Sequence, residues 1–256
     1  MVKIVNFCSF KGGTAKTSSV LNIASCLSFF ENKKILMLDF DPQSNLSIIS
    51  GCNPSQFSII DVLLGRVDIK DAIQKTFHDN LNIIPSTSSL EQLSYCHSSA
   101  SFKSLYQQLE NILSNLVDYD FCFIDTPPSL GWISQATFYS ANYSIICITP
   151  DPLSLIGLQK IKEYLTTFVG KKIHDVLGVI ISMWDNRSSM NPMCLDVVEN
   201  IFPNKTFKIK IRKDICVSRS VVKRLPVICV FPNSRATEDF KNLSREILKG
   251  LSGEPK

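Results

Sequence analysis

Apolar residues in this chain come in short, nearly unbroken runs, at 4–8, 35–38, 81–84, 121–124, 144–148, 176–183 and 227–231. Most are apolar at consecutive positions, not at every second one. Strands with both faces covered read this way, as in a parallel sheet flanked by helices. Between the runs the spacing changes to that of helices. Val20, Ile23, Ala24, Leu27 and Phe30 mark one helical face, and Leu105, Leu109, Ile112, Leu113 and Leu116 a second. Leu155, Leu158, Ile161, Leu165 and Phe168 mark a third, and Phe240, Leu243, Ile247, Leu248 and Leu251 a fourth. This alternation predicts an α/β fold, a doubly wound and mostly parallel sheet with helices on both faces. No repeat or long linker divides the chain, so residues 1–256 are expected to form one domain. The serine-rich stretch 86–104 reads as a loop leading into a helix.

Composition narrows the class. With 45% hydrophobic and 20% charged residues the chain is neither disordered nor collagen-like. No apolar run approaches the ~18–20 residues of a membrane span. The first apolar run is too short for a signal-peptide core, so a cytoplasmic protein is expected. The nine cysteines agree: the number is odd and no Cys-x-x-Cys pair exists. Cys122, Cys147 and Cys229 sit within apolar runs and are expected as reduced core thiols. His78, His97 and His174 form no local cluster, which speaks against a metal centre. No Gly-x-Ser-x-Gly elbow suggests a hydrolase triad.

The first strand runs into Phe10-Lys11-Gly12-Gly13-Thr14-Ala15-Lys16-Thr17-Ser18, and a helix follows. Glycines let backbone N–H groups turn toward phosphates, and the helix N-terminus adds its positive end. Lys16 would neutralise β- and γ-phosphate charge, and the Thr17 hydroxyl would ligate Mg2+. The pattern G-x-x-x-x-G-K-[ST] is broken where Phe10 and Ala15 replace its glycines. A glycine-containing strand–helix turn with a surface lysine is the plain alternative. Two later strands end in carboxylates, where open α/β sheets bind ligands. Asp39 and Asp41 are two apart and point the same way if the strand persists, and Pro42 would help end it. Asp125 follows four apolar residues and precedes Thr126-Pro127-Pro128, the placement of a Walker-B carboxylate. Each Asp could instead cap a turn.

Taken together, the three motifs resemble the ParA/MinD/Soj family of deviant Walker-A ATPases. The match is Lys11-Gly12-Gly13-x-x-Lys16-Thr17, then Asp39-x-Asp41-Pro42-Gln43-Ser44-Asn45, then Asp125-Thr126-Pro127-Pro128-Ser129-Leu130-Gly131. The resemblance implies a P-loop NTPase-like fold, ATP/ADP and Mg2+ as cofactors, and slow ATP hydrolysis. It makes Lys11 the signature lysine, reaching across an ATP-sandwich homodimer to the partner's nucleotide. Asp41 would position or activate water, and Asp125 would hold Mg2+ with Thr17 and begin a switch segment. Lys11 through Ser18 would cradle the phosphates, and Met183 and Asp185 would lie where relatives contact adenine. Two positions depart from the family pattern. Ala15 stands where many relatives have glycine, costing about 1 kcal/mol or more if φ must be positive. Ile211-Arg212-Lys213 stands where relatives often have Ile-Pro-Arg.

Charge is distributed unevenly. Between Pro203 and Arg224 lie Lys205, Lys208, Lys210, Arg212, Lys213, Arg219, Lys223 and Arg224 against the single acid Asp214. That strip carries +7 of a net +4, so the remainder is −3. Phe207, Ile209 and Ile211 alternate with Lys208, Lys210 and Arg212, a strand with one apolar and one basic face. It could grip DNA phosphates without reading sequence, or be an edge strand whose lysines deter strand addition. The resemblance favours DNA, with Arg235 contributing, since ParA-type dimers bind DNA non-specifically when ATP-loaded. It also implies a ParB-like partner that stimulates hydrolysis, and a place on the nucleoid. The alternatives are a nucleotide-gated, DNA-associated regulator that barely hydrolyses ATP, and a MinD-like membrane ATPase. Residues 252–256 include Pro255 and add no apolar face, which speaks against the membrane reading. The chain starts at its first strand, so no helix-turn-helix domain for operator reading is expected.

Overall fold

The computed structural model describes residues 1–53, 56–93, 99–168 and 175–253. Its centre is a seven-stranded sheet in the order β3-β4-β2-β5-β1-β6-β7. The strands are β1 (Lys3–Cys8), β2 (Ile35–Asp39), β3 (Gln74–His78), β4 (Leu81–Ile84), β5 (Phe121–Asp125), β6 (Tyr143–Ile148) and β7 (Asp175–Ile181). All neighbours are parallel except β3, which pairs antiparallel with β4 at one edge. The doubly wound, mostly parallel sheet expected from the unbroken apolar runs is the one found. In its register Asp39 lies beside Asp125 and Phe7 beside Asp125, so three strand ends converge on one point.

Ten helices surround the sheet among the described residues: α1 (Lys16–Phe30), α2 (Asn45–Ile49), α3 (Ile59–Leu63), α4 (Ser99–Ser114), α5 (Trp132–Ser140), α6 (Pro152–Phe168), α7 (Asn191–Ile201), α8 (Ile215–Val222), α9 (Val227–Val230) and α10 (Arg235–Ser252). On one face α1 and α10 cover Val5, Phe7, Met37 and Phe123. On the other, α4 and α5 cover Leu36, Leu38 and Ile124, while α6 and α7 cover Ile146, Ile148 and Val179. Helix α1 is buried nearly all round because α10 lies outside it. Helix α10 is amphipathic, its apolar side on the core and its polar side outward.

Three expectations are corrected. Of residues 227–231, Val227–Val230 form the short helix α9 after Pro226, not a strand. Val227 and Ile228 are buried, but the Val227 N–H is satisfied by Asn22 Oδ1 at 2.7 Å, with no sheet neighbour needed. A four- or five-residue apolar run cannot by itself separate strand from buried helix. Cys229, on that helix, is exposed, whereas Cys122 and Cys147 are buried as expected and burial pushes the Cys122 thiol up to about 12. Segment 207–212 keeps its strand-like alternation, with Phe207 and Ile211 buried and Ile209 half-buried, but it forms no ladder. It runs along β7 through single bonds, Phe207 N–H to Val179 O at 3.1 Å and Ile211 N–H to Ile181 O at 3.0 Å. The Phe207 ring lies over Gly178, where a Cβ would meet it at 2.5 Å. The middle of β7 is thus kept bare to admit a ring. His97, His174 and residues 254–256 lie outside the described residues, as do 94–98 of the serine-rich stretch.

Candidate functional site: a phosphate loop, an apolar cavity and a basic cleft

The loop between β1 and α1 winds over the converging strand ends. Gly13 has φ +79 and Ala15 has φ 60 with ψ 24, both left-handed. The expected strain at Ala15 is therefore present: its Cβ sits where only glycine is unpenalised. The turn delivers Lys16 and Thr17 to the start of α1, beneath a cavity of about 360 Å3 lined by Lys11, Gly12, Gly13, Thr14, Ser18 and Asp41 among others. The side chain of Lys16 is only 6% exposed and its ammonium donates to Asp125 Oδ1. Thr17 Oγ1 donates to Asp125 Oδ2 at 2.7 Å. Burial works against the Lys16 charge, but the adjacent Asp125 carboxylate outweighs it and holds the lysine above its ordinary pKa. The lysine, the hydroxyl and the carboxylate, 109 and 108 residues apart in pairs, form one buried unit.

Asp39 and Asp41 do not share a direction, because β2 stops at Asp39. Asp39 is fully buried and accepts the Ser47 N–H at 2.8 Å, the Ser47 hydroxyl at 2.7 Å and the Asp41 N–H at 3.1 Å. It anchors α2. Burial, with Asp125 nearby, raises its pKa to about 7. Asp41 lines the phosphate cavity, one oxygen accepting the Gln43 N–H at 2.9 Å. Lys11 also lines this cavity, and its ammonium meets Asp151 Oδ1 at 2.8 Å outside it. Asp151 also accepts the Thr149 hydroxyl and the Ser154 N–H, which fixes it at the start of α6. Burial works against the Asp151 charge, but these bonds outweigh it and hold the carboxyl below its usual range.

A second cavity of about 450 Å3 opens beside Gly13 and Ala15 and is mostly apolar, walled by Met183, Ile211, Val217, Val221 and Phe240. Met183 follows β7 with φ 54 and is partly exposed. The Ser182 hydroxyl in this wall is buried without a hydrogen-bond partner. Asp185 is not in this wall: its carboxylate is held by Arg187, Nη2 to Oδ2 at 2.9 Å and Nε to Oδ1 at 3.1 Å. These bonds hold it at about pKa 2. Asp185 instead lines a third cavity of about 420 Å3, with Lys11, Gly13 and Met183, and also the neighbouring surface.

That neighbouring surface is a cleft of about 440 Å3 with four cations in its lining, Arg187, Arg212, Lys213 and Arg235, beside Trp184 and Asp185. Arg187 stands outside the basic strip of the sequence, and no local pattern marks it; only the turn after β7 brings it here. The strip itself is divided. Lys208, Lys213, Arg219, Lys223 and Arg224 are exposed, as is Arg235. Lys210 is turned inward, donating to Phe207 O at 2.8 Å and Lys208 O at 3.1 Å, and burial lowers its pKa. Arg212 is clamped on α10, Nη2 to Asp239 Oδ1 at 2.6 Å and to Glu238 Oε2 at 3.3 Å. The alternating face Lys208, Lys210 and Arg212 thus presents one free cation, not three. Arg219, Lys223 and Arg224 lie on or just after α8, outside the cleft.

Comparison with known proteins agrees with this arrangement. A family profile described as an AAA domain matches residues 2–177. A virulence plasmid ParA family protein, pGP5-D of Chlamydia psittaci, is 42% identical over 258 residues, covering 100% of this chain and 98% of the relative. The sporulation initiation inhibitor protein Soj of Bacillus subtilis is 28% identical, covering 96% and 98%. Among solved structures, the septum site-determining protein MinD of Pyrococcus horikoshii, complexed with Mg-ADP, superposes with a TM-score of 0.82 at 25% identity, covering 99% and 98%. With the Lys11-Gly12-Gly13 loop, the Lys16–Asp125–Thr17 unit and this likeness along its whole length, the chain belongs to the ParA/MinD/Soj family of deviant Walker-A ATPases.

Proposed function

We propose that the chain is a ParA-like ATPase for plasmid or chromosome partition, acting as one domain over residues 1–256. ATP-bound copies pair, bind DNA without sequence preference, and let go after a ParB-like partner stimulates hydrolysis. The observation that carries this reading is the pair of lysines lining one cavity, Lys16 buried on Asp125 and Lys11 half-exposed on Asp151. A buried cation beside the phosphates and a second, movable one are what transition-state charge on a transferring phosphoryl group calls for.

The residues fit Mg2+. Thr17 Oγ1 and Asp125 Oδ2 lie 2.7 Å apart, both hard oxygen donors, and Mg2+ shared with phosphates takes only one or two protein ligands. The ion would neutralise charge developing on the phosphate oxygens. Asp41 is the carboxylate placed to orient a water at the phosphate end. Lys11 leaves Asp151 to serve the nucleotide of the second copy. Adenine takes the apolar cavity at Met183, where the buried Ser182 hydroxyl offers a hydrogen bond.

DNA is assigned to the exposed cations Lys208, Lys213, Arg219, Lys223, Arg224 and Arg235, joined by Arg187. Arg212 and Lys210 hold the strip in place. No described helix is long and apolar enough to cross a membrane. A second reading, a nucleotide-gated DNA-associated regulator with little turnover, rests on the strained Ala15 in the cradle. Phosphate release from ATP, with and without DNA, separates the two. The first expects turnover that is abolished by Lys16→Ala, and a DNA gel shift with ATP that ADP does not support. DNA binding indifferent to nucleotide would overturn both.

A further inference from the structure

The strict phosphate-loop pattern places glycine where this chain has Phe10, and a cradle of backbone N–H groups has no use for a benzyl side chain. The ring is accommodated by α6. A Cβ on Gly157 would lie 2.8 Å from Phe10 Cβ, 3.1 Å from Cδ1 and 3.3 Å from Cγ. The glycine thus leaves a notch that the root of Phe10 fills. One turn on, Lys160 Nζ sits 4.7 Å from the centre of the same ring, a cation–π contact. The next residue of the loop, Lys11, is held by Asp151 at 2.8 Å, and Asp151 caps the same helix through the Ser154 N–H at 3.1 Å. Residues 10 and 11 are therefore both gripped by one helix, Lys11 at its cap Asp151 and Phe10 at Gly157 and Lys160.

We propose that Phe10 is a positioning residue for Lys11: docked in the Gly157 notch, it locks the head of the phosphate loop to α6. The direction in which Lys11 points then follows the position of that helix. This rests on the ATPase reading above. Phe10 packs on the bare backbone of Gly157 so closely that an added Cβ would stand 2.8 Å from its own, and a junction without slack transmits movement of the helix instead of absorbing it.

The test is a set of variants assayed for kcat and for KM with ATP: Gly157→Ala, Lys11→Ala, the two combined, and Phe10→Ser with Gly157→Ala. Gly157→Ala is expected to lower kcat on the order of ten- to a hundredfold, with KM within about twofold, since the Lys16–Asp125 unit is untouched. In the Lys11→Ala background it is expected to cost nothing further, because both changes act through one ammonium. Phe10→Ser with Gly157→Ala relieves the clash but removes the docked ring, so the combined variant is expected to keep the loss in kcat. Multiplied losses in the double variant, a loss carried by KM, or an unchanged kcat would overturn the proposal. A second measurement needs no activity. Hydrogen exchange on the nucleotide-free chain is expected to quicken in residues 9–14 and 152–160 together in Phe10→Ser, with the melting temperature recorded alongside. Exchange confined to 9–14 would break the coupling. An unaltered chain that does not turn over ATP would overturn the ATPase reading alone, and the exchange result would still decide the junction.

Discussion

The phosphate end and the basic strip both looked, in the sequence, like clusters of charge with a purpose. In the fold they are opposites. At the phosphate end Lys16, Asp39 and Asp125 are buried and each has a fixed partner: Lys16 and Thr17 on Asp125, Asp39 on Ser47. Along the strip the same density of charge splits into cations committed to the scaffold, Arg212 and Lys210, and cations left in water. A charge that must leave water needs a designated partner, whereas an exposed one needs none. The difference teaches that a motif tied to strand ends survives folding as a unit, while a run of lysines is sorted by whichever carboxylates come to face it.

The largest expected effect is at the buried end. Lys16→Ala should reduce ATP turnover about a hundredfold or more. It should also cost about 3 kcal/mol in denaturant unfolding, because Asp125 is left buried without its cation. A variant that melts normally would break the contrast between the two regions. Next, Arg212→Ala should cost about 1–2 kcal/mol, because the nearly buried Asp239 loses its guanidinium. Among exposed cations, Arg187→Ala and Lys213→Ala should leave stability within about 0.5 kcal/mol. Each should lower the salt-dependence slope of DNA binding by about one, whereas Lys210→Ala should leave the slope unchanged. Equal slopes for all three would erase the division of the strip.

Asp39 supplies a pH test. Its folded pKa of about 7 lies above the unfolded value, so the folded state holds the proton more tightly. Its contribution is complete below about pH 4 and is lost as pH rises to about 7. Asp39→Asn keeps an acceptor for Ser47, so the unfolding free energy should fall less between pH 5 and 8 than in the unaltered chain. Parallel pH curves would show that Asp39 is not a tightly buried carboxyl. The strained turn acts in the opposite direction: Ala15→Gly should stabilise by about 1 kcal/mol, raising Tm by about 2–4 °C. No change would mean that the left-handed turn at Ala15 carries no strain.

Much of the site was legible because its residues are locked to strand ends. Phe121 through Ile124 lead straight into Asp125 and a Pro-Pro turn, and a parallel strand ending in Asp125 delivers that carboxylate to the ligand edge of the sheet. The direction of Asp39 was not legible, since it depends on whether β2 runs two residues further. The apolar run 227–231 was misread because helix and strand bury a run of that length equally well. Asp185 and Arg187 were beyond reach for a different reason: their pairing is set by a turn with no periodicity.

By itself the sequence determined the parallel sheet, the loop that holds Lys11, Lys16 and Thr17, and the carboxylates Asp41 and Asp125, because continuous burial and strand-end chemistry are local properties of the chain. The tertiary structure alone decided which cations of the strip are free, that Arg187 joins them, and that Phe10 rests in the notch of Gly157. Each of those depends on which side chain from a distant segment stands opposite, and no spacing along the chain encodes that.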